Sequence, residues 1–262
     1  MKKPEVSRPR RGLAPLASIL TIANLLCGYY AILSTMKGTV TDLDNAAKAI
    51  GFAILFDTLD GRVARMSNTS SPFGRELDSL ADVISFGVAP AFLTLAWGVK
   101  SLDQPVGSSV LAQHIQQIGW IVSFAFLICG AWRLARFNIH SVTHDPYAHR
   151  YFVGMPIPAA AGLIAATVHA FKVPVANWYW ALLWLGIVAV LAFLMVSPIR
   201  YYSFKHIGLR RKPQLLGLGI LAWSIWVYSE YVLLALAVTY SLSGITSKVT
   251  GMVRRHVPQH AG

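Results

Sequence analysis

Five of the chain's eleven acidic residues fall between positions 57 and 82: Asp57, Asp60, Glu76, Asp78 and Asp82. They interrupt long apolar runs, where a carboxylate at the centre of a membrane span costs about 2.5–3.5 kcal/mol. Four uncompensated carboxylates would cost on the order of 10 kcal/mol, comparable with the net stability of a whole domain. Cations, water or bound metal must offset that cost, and the spacing favours metal. Asp57, Asp60, Gly61, Ala64 and Arg65 stand at offsets of 0, 3, 4, 7 and 8, which is one face of a helix. Gly74, Asp78 and Asp82 follow at four-residue intervals, one face of a second helix. Met66–Phe73 is a polar turn ending in Ser-Pro, so the two helices form an antiparallel hairpin. At about 1.5 Å per residue, Asp57 and Asp82 lie about 12 Å in from the helix ends, and Asp60 and Asp78 about 6–8 Å. The expectation is two facing pairs of carboxylates, a box of oxygens open to the cytoplasm. Hard oxygen donors suit Mg²⁺ or Mn²⁺, and no His or Cys competes at this spacing. Small residues at Gly61, Ala64 and Gly74 leave the backbone open to a bulky ligand. Polar helix-packing contacts, or a proton or ion path, are the plainer alternative, which the shared two-helix register disfavours.

The elements that must carry these residues are membrane spans. The chain has 262 residues, 55% hydrophobic and 13% charged, about half the charged fraction of a soluble domain. The fold class expected is all-α, a polytopic transmembrane helical bundle of about eight spans. Six apolar blocks cover 14–36, 46–66, 74–98, 115–138, 153–171 and 176–197. A seventh, Leu215–Gly244, is too long for one span and is divided near Tyr228–Tyr231, where Glu230 sits between two interfacial aromatics. With the N-terminus cytoplasmic, 19 of the 23 Lys and Arg fall on the inside, which the positive-inside rule requires and which favours an even number of spans. The net charge of +12 is therefore a topological signal, and no nucleic-acid partner is expected. The organisation expected is a basic cytoplasmic segment over 1–13, a six-helix catalytic core over 14–212, two added helices over 213–247 and a basic cytoplasmic tail over 248–262. The start Met1–Arg11 runs into a full-length span without a small-residue cleavage site, so no cleaved leader is expected. Cys27 and Cys129 lie in apolar blocks without metal-ligand spacing and read as packing residues.

The run Asp57-Thr-Leu-Asp60-Gly61-Arg-Val-Ala64-Arg65, then eight residues, then Gly74-Arg-Glu-Leu-Asp78-Ser-Leu-Ala-Asp82 resembles the signature of the CDP-alcohol phosphatidyltransferases at every fixed position. Within that family the chain is most similar to the membrane-embedded, serine-accepting branch. The stretches that carry this are 21–28, 85–91, Arg-Leu-Ala-Arg-Phe-Asn at 133–138, 154–161 and 195–201, and the likeness covers about 14–205. The resemblance implies that CDP-diacylglycerol binds with its diphosphate on two metal ions, Mg²⁺ or Mn²⁺, held by Asp57, Asp60, Asp78 and Asp82. It implies that the nucleotide lies against Gly61 and Ala64, with Gly74 nearby and Arg65 assisting. The serine hydroxyl then attacks the lipid-side phosphorus and CMP leaves. Similar enzymes are homodimers in the cytoplasmic membrane, with the active site facing the cytoplasm. Physical chemistry agrees, since two metals can clamp the attacking and leaving oxygens of a displacement. Asp82, at the deep end, is the candidate general base.

The remaining polar residues carry a second tier of expectation. Arg133 and Arg136 are an i, i+3 pair at the cytoplasmic end of the fourth helix. They read either as snorkelling topology signals or as an anion clamp for serine's carboxylate or a phosphate, Arg136 first. Asn138 follows them. Asn24, at the depth of Asp57 and Asp82, is either an interhelical contact or a ligand contact. Arg200 is a possible phosphate contact, although it and Lys205 fit topology equally well. Glu76, Arg62 and Arg75 read as edge residues, and His140, His144 and His149 as weak metal candidates. Another alcohol acceptor (glycerol phosphate, inositol phosphate or choline) would leave the signature unchanged. A cation transporter using the acidic box would be expected to carry inverted repeats, and none is visible.

Overall fold

The computed structural model describes residues 14–67, 72–103, 109–142, 151–202, 224, 227–244 and 246. Helix α1 (Ala14–Lys37) turns at Gly38, whose φ of 76° suits glycine, and leads into α2 (Val40–Ser67). Thr39 caps α2: it accepts from the Asp42 N–H at 3.2 Å, and its hydroxyl donates to the Asp42 carboxylate at 2.5 Å, a variant of the capping box. Buried Ala46, Ala47, Ala49 and Ala53 keep one side of α2 thin, so neighbouring helices approach closely; α1 and α2 make the most extensive pairing in the bundle.

Helix α3 (Pro72–Asp82) starts on proline, which fits a first helical position that needs no N–H. It continues through a π-helical turn, Val83–Val88, into α4 (Ala89–Gly98), and Phe73–Gly98 together form one apolar span. A short 3₁₀ turn, Lys100–Asp103, follows. Helix α5 (Ser109–Val142) has 34 residues, α6 (Ile157–Phe171) has 15 and α7 (Trp178–Val196) has 19. Residues 227–244 are also helical.

Ser18–Lys37, Phe73–Gly98, Val110–Ile139 and Trp178–Val196 are long and apolar enough to cross a membrane, with Ile157–Phe171 a shorter apolar helix. Helix α2 is long enough but carries the acids. The core between the helices is built on Leu43, Ile50, Phe86, Leu93, Phe126, Ile164 and Met195, while Trp120, Ile121 and Phe193 face outward. Large apolar side chains on the outside are what a lipid solvent allows. The six core blocks read from hydropathy fall on α1, α2, α3–α4, α5, α6 and α7.

Two features depart from the sequence expectation. The first is a small antiparallel ribbon, the only strands among the described residues: β1 (Tyr151–Val153) pairs with β2 (Arg200–Tyr202), Val153 opposite Arg200. It ties the entry of α6 to the exit of α7. Gly154, at φ 84°, continues the tie by donating to the Ile199 carbonyl at 2.8 Å, and Met155 donates to that of Leu194 at 3.0 Å. Three-residue strands are too short to leave an alternation pattern. The second is at Tyr228–Tyr231, where the sequence reading divides the last apolar block: these residues are helical within the described stretch 227–244. The preceding half of that block lies outside the described residues.

At the end of the bundle remote from the acidic run, polar side chains join three elements. Asp44 of α2 meets His169 Nδ1 of α6 at 2.5 Å, and His169 Nε2 meets Ser229 Oγ of the last helix at 2.9 Å. Lys48 pairs with Asp44 at 2.7 Å, and Lys172 pairs with Glu230.

Candidate active site

Helix α2 presents Asp57 to α3, which presents Asp78 and Asp82 one turn apart. One carboxylate oxygen from each of the three lies within 4.8 Å of the others. Two like charges at that distance repel by about 3 kcal/mol at an effective dielectric of ~20. A bound divalent cation turns that repulsion into attraction.

Asp60 is placed differently from the expected box. It is buried, and its carboxylate accepts a hydrogen bond from the Thr21 hydroxyl of α1. Three residues along a helix fall about 60° short of a full turn, enough to swing Asp60 from the α3 side toward α1. The two facing pairs are therefore a triplet with a fourth carboxylate tethered beside it. Asn24, completely buried on the same face of α1 as Thr21, donates from Nδ2 to Asp82 Oδ1 at 3.3 Å.

The triplet opens into a cleft of about 320 Å³. Asp57, Thr58, Gly61, Asp78, Ser79 and Asp82 form one wall, Arg133, Leu134, Phe137 and Asn138 of α5 the other, and Pro156, Ile157 and Pro158 a third side. Arg133 is only 7% exposed, and its Nε has no hydrogen-bond partner among the described residues. A buried donor left unpaired costs stability, and Arg133 brings a positive charge to the wall across from the carboxylates. Asn138 Nδ2 donates to Ser79 Oγ at 2.9 Å and ties the two walls together.

The other residues singled out by sequence are distributed as follows. Gly61 lines the cleft, while Ala64, one turn on, and Gly74, in the first turn of α3, are half-buried. Arg136 is half-buried on α5 and is not among the residues that line the cleft, whereas Arg133 is. Arg62, Arg75 and Glu76 are exposed. Arg65 lies on α2 and Arg200 on β2, but their side chains, with that of His140 and with residues Lys205, His144 and His149, lie outside the described residues.

Sequence reasoning missed Thr21, Ser79, the π turn after Asp82 and the Pro156–Pro158 wall. Thr21 had a usable signal: with Asn24 it forms an i, i+3 polar pair in an apolar helix. The donor set is all oxygen, faces one accessible cleft and includes two carboxylates on consecutive turns of one helix. That chemistry fits a hard divalent cation.

The family model described as CDP-alcohol phosphatidyltransferase matches residues 14–195. Among curated proteins, the chain is similar to the CDP-diacylglycerol–serine O-phosphatidyltransferase of Helicobacter pylori, at 44% identity over 161 residues, 59% of either chain. It is 37% identical to the Saccharomyces cerevisiae protein of that name over 166 residues, 60% of this chain and 54% of the relative. It is 34% identical to the Methanocaldococcus jannaschii protein of that name over 191 residues, 73% of this chain and 78% of the relative. The match thus spans 59% of the Helicobacter relative's length.

Proposed function

The chain belongs to the CDP-alcohol phosphatidyltransferase family, and on that footing we propose that it transfers the phosphatidyl group of CDP-diacylglycerol to the hydroxyl of L-serine. The observation that carries this reading is one cleft with three carboxylates on one wall and a buried guanidinium on the other. Asp57, Asp78 and Asp82, with Asp60 alongside, would hold Mg²⁺ or Mn²⁺, two ions. When bound, they neutralise the diphosphate and stabilise the charge that develops on the leaving oxygen.

The chain's own residues do the rest. Gly61 and Ala64 let the nucleotide approach the backbone of α2, with Gly74 and Arg65 flanking it. Arg133 receives the serine carboxylate, which a guanidinium fork matches in shape and charge. Arg136, Asn138 and Arg200 supplement it. The serine oxygen forms a bond to the lipid-side phosphorus as the bond from that phosphorus to the CMP oxygen breaks. The serine hydroxyl proton passes to Asp82. The products are phosphatidylserine and CMP. No covalent enzyme intermediate is required, and positioning with electrostatics supplies most of the acceleration.

The same reading includes a six-helix catalytic core over 14–212 and two further helices over 213–247, eight spans in all. Both termini and the cleft face the cytoplasm, from the cytoplasmic membrane, in a homodimer. The placement of Ser229 and Glu230 at the end of the bundle remote from the acids supports a last helix that returns toward the cytoplasm.

The test offers labelled CDP-diacylglycerol to the purified protein with serine, glycerol phosphate, inositol phosphate or choline in turn, with and without Mg²⁺ or Mn²⁺. Metal-dependent CMP release with serine alone is expected. Release with a different alcohol would reassign the acceptor, and no release with any would overturn the enzymatic reading.

A further inference from the structure

Asp82 is the last residue of α3, and the helix changes character immediately after it. Val83–Val88 is π-helical, with Ser85, Phe86 and Gly87 buried. A π turn carries one more residue than an α turn, so it re-aims the side chains that flank it. Here the turn is pressed against α1. Ser85 Oγ donates to the Asn24 carbonyl at 3.0 Å. One helical turn further along α1, a Cβ at Gly28 would meet Ser85 Cα at 2.7 Å, so only glycine allows this approach.

Asn24 thus touches both sides of the junction: its backbone holds Ser85, and its Nδ2 donates to Asp82. Its Oδ1 is buried and has no hydrogen-bond partner among the described residues. Leucine would fill the same space without stranding an acceptor. What asparagine supplies that leucine lacks is the donor aimed at Asp82.

We infer that Asn24 is a positioning residue for Asp82: it holds one carboxylate oxygen from the α1 side and leaves the second for the site shared with Asp57 and Asp78. Ser85 and Gly28 fix the π turn that begins directly after Asp82. The inference rests on reading the carboxylate triplet as the divalent-metal site. Partners that orient a metal ligand in this way affect metal affinity by about 10–100-fold.

The experiment measures Mn²⁺ binding by electron paramagnetic resonance in substrate-free, detergent-purified protein, alongside steady-state kinetics. Wild type is compared with Asn24→Leu, Ser85→Ala, Asp82→Asn and the double variant Asn24→Leu/Asp82→Asn. Asn24→Leu is expected to weaken Mn²⁺ roughly tenfold and to lower kcat, with the KM for CDP-lipid nearly unchanged. Ser85→Ala, which removes one hydroxyl and no packing volume, should shift both in the same direction by a smaller factor. In the Asp82→Asn background the Asn24 change should weaken Mn²⁺ no further, as expected of a residue acting through Asp82. Equal Mn²⁺ affinity in wild type, Asn24→Leu and Ser85→Ala overturns the inference alone, as does additivity in the double variant. Absence of Mn²⁺ binding by wild type overturns the metal reading, and the inference with it.

Discussion

Arg133 and the carboxylates across from it divide the work of the proposed transfer, and single substitutions separate their roles. Asp57→Ala, Asp78→Ala and Asp82→Ala should each reduce turnover by about a thousandfold or more while the protein still inserts, because each removes charge at the position where metal is held. Asp60→Ala should do the same; retained activity would make Asp60 a helix-pairing residue for Thr21. Arg133→Ala should raise the KM for serine at least tenfold and that for CDP-lipid far less, and steady-state kinetics with each substrate varied will check this. The reverse ordering would place Arg133 on the lipid phosphate. At this scale the sequence was highly informative about the acids, because hydrocarbon makes every carboxylate expensive and so makes each one a signal. It was less informative about Arg133 against Arg136. Spacing of three puts both on nearly one face, and only the docking of α5 against α7, α4 and the π turn decides which is enclosed.

Among the elements, α2 and α6 each have one end at the cleft and the other at the polar cluster of Asp44, His169 and Ser229. Burial, the largest influence on Asp44, pushes its carboxyl up, but hydrogen bonds from Lys48 and His169 outweigh it and hold the pKa below the ordinary carboxylate value. A depressed folded-state pKa means stability that is present above the unfolded value, about 3.9, and lost as pH falls through the folded one. Asp44→Asn should therefore lower the melting temperature near pH 7, and the gap from wild type should close as the pH drops below about 4; melting curves across that range test it. The Lys172–Glu230 pair lowers the Glu230 pKa and raises that of Lys172 through their hydrogen bond, but both are too exposed to add much. Gly154→Ala should be destabilising, since a Cβ there meets the Met195 carbonyl carbon at 3.2 Å and φ is positive. The positions of the six core blocks were legible from hydropathy, although α2 starts at Val40 rather than 46 and α5 at Ser109 rather than 115. The ribbon and the π turn were not, for both depend on how already-formed helices dock.

For the molecule as a whole, the sequence carries a pattern of charge but not the shape of the cleft. Under the positive-inside rule, basic residues between apolar blocks are expected to mark the cytoplasmic ends, whereas the cleft exists only because α2, α3, α5 and the start of α6 lean together around it. The proposed topology can be tested directly. Cysteines introduced singly near both termini should react with a membrane-impermeant thiol reagent only after cells are permeabilised. Cysteines replacing Lys100 or Lys172 should react in intact cells. Labelling of one terminus but not the other from outside would require an odd number of spans, and labelling of both would invert the orientation.

Helix α6, with 15 residues, is about 22 Å long where the hydrocarbon layer is about 30 Å thick. It begins at the Pro156–Pro158 wall of the cleft; if it crosses the bilayer as in the proposed topology, the bilayer would thin beside that opening or leave the helix ends in oil. In that topology, thinning would draw the phosphate layer inward, toward the carboxylates. A short helix would then spare the substrate part of the work of being lifted out of its leaflet, and vesicles made from shorter acyl chains would turn over faster than thick ones.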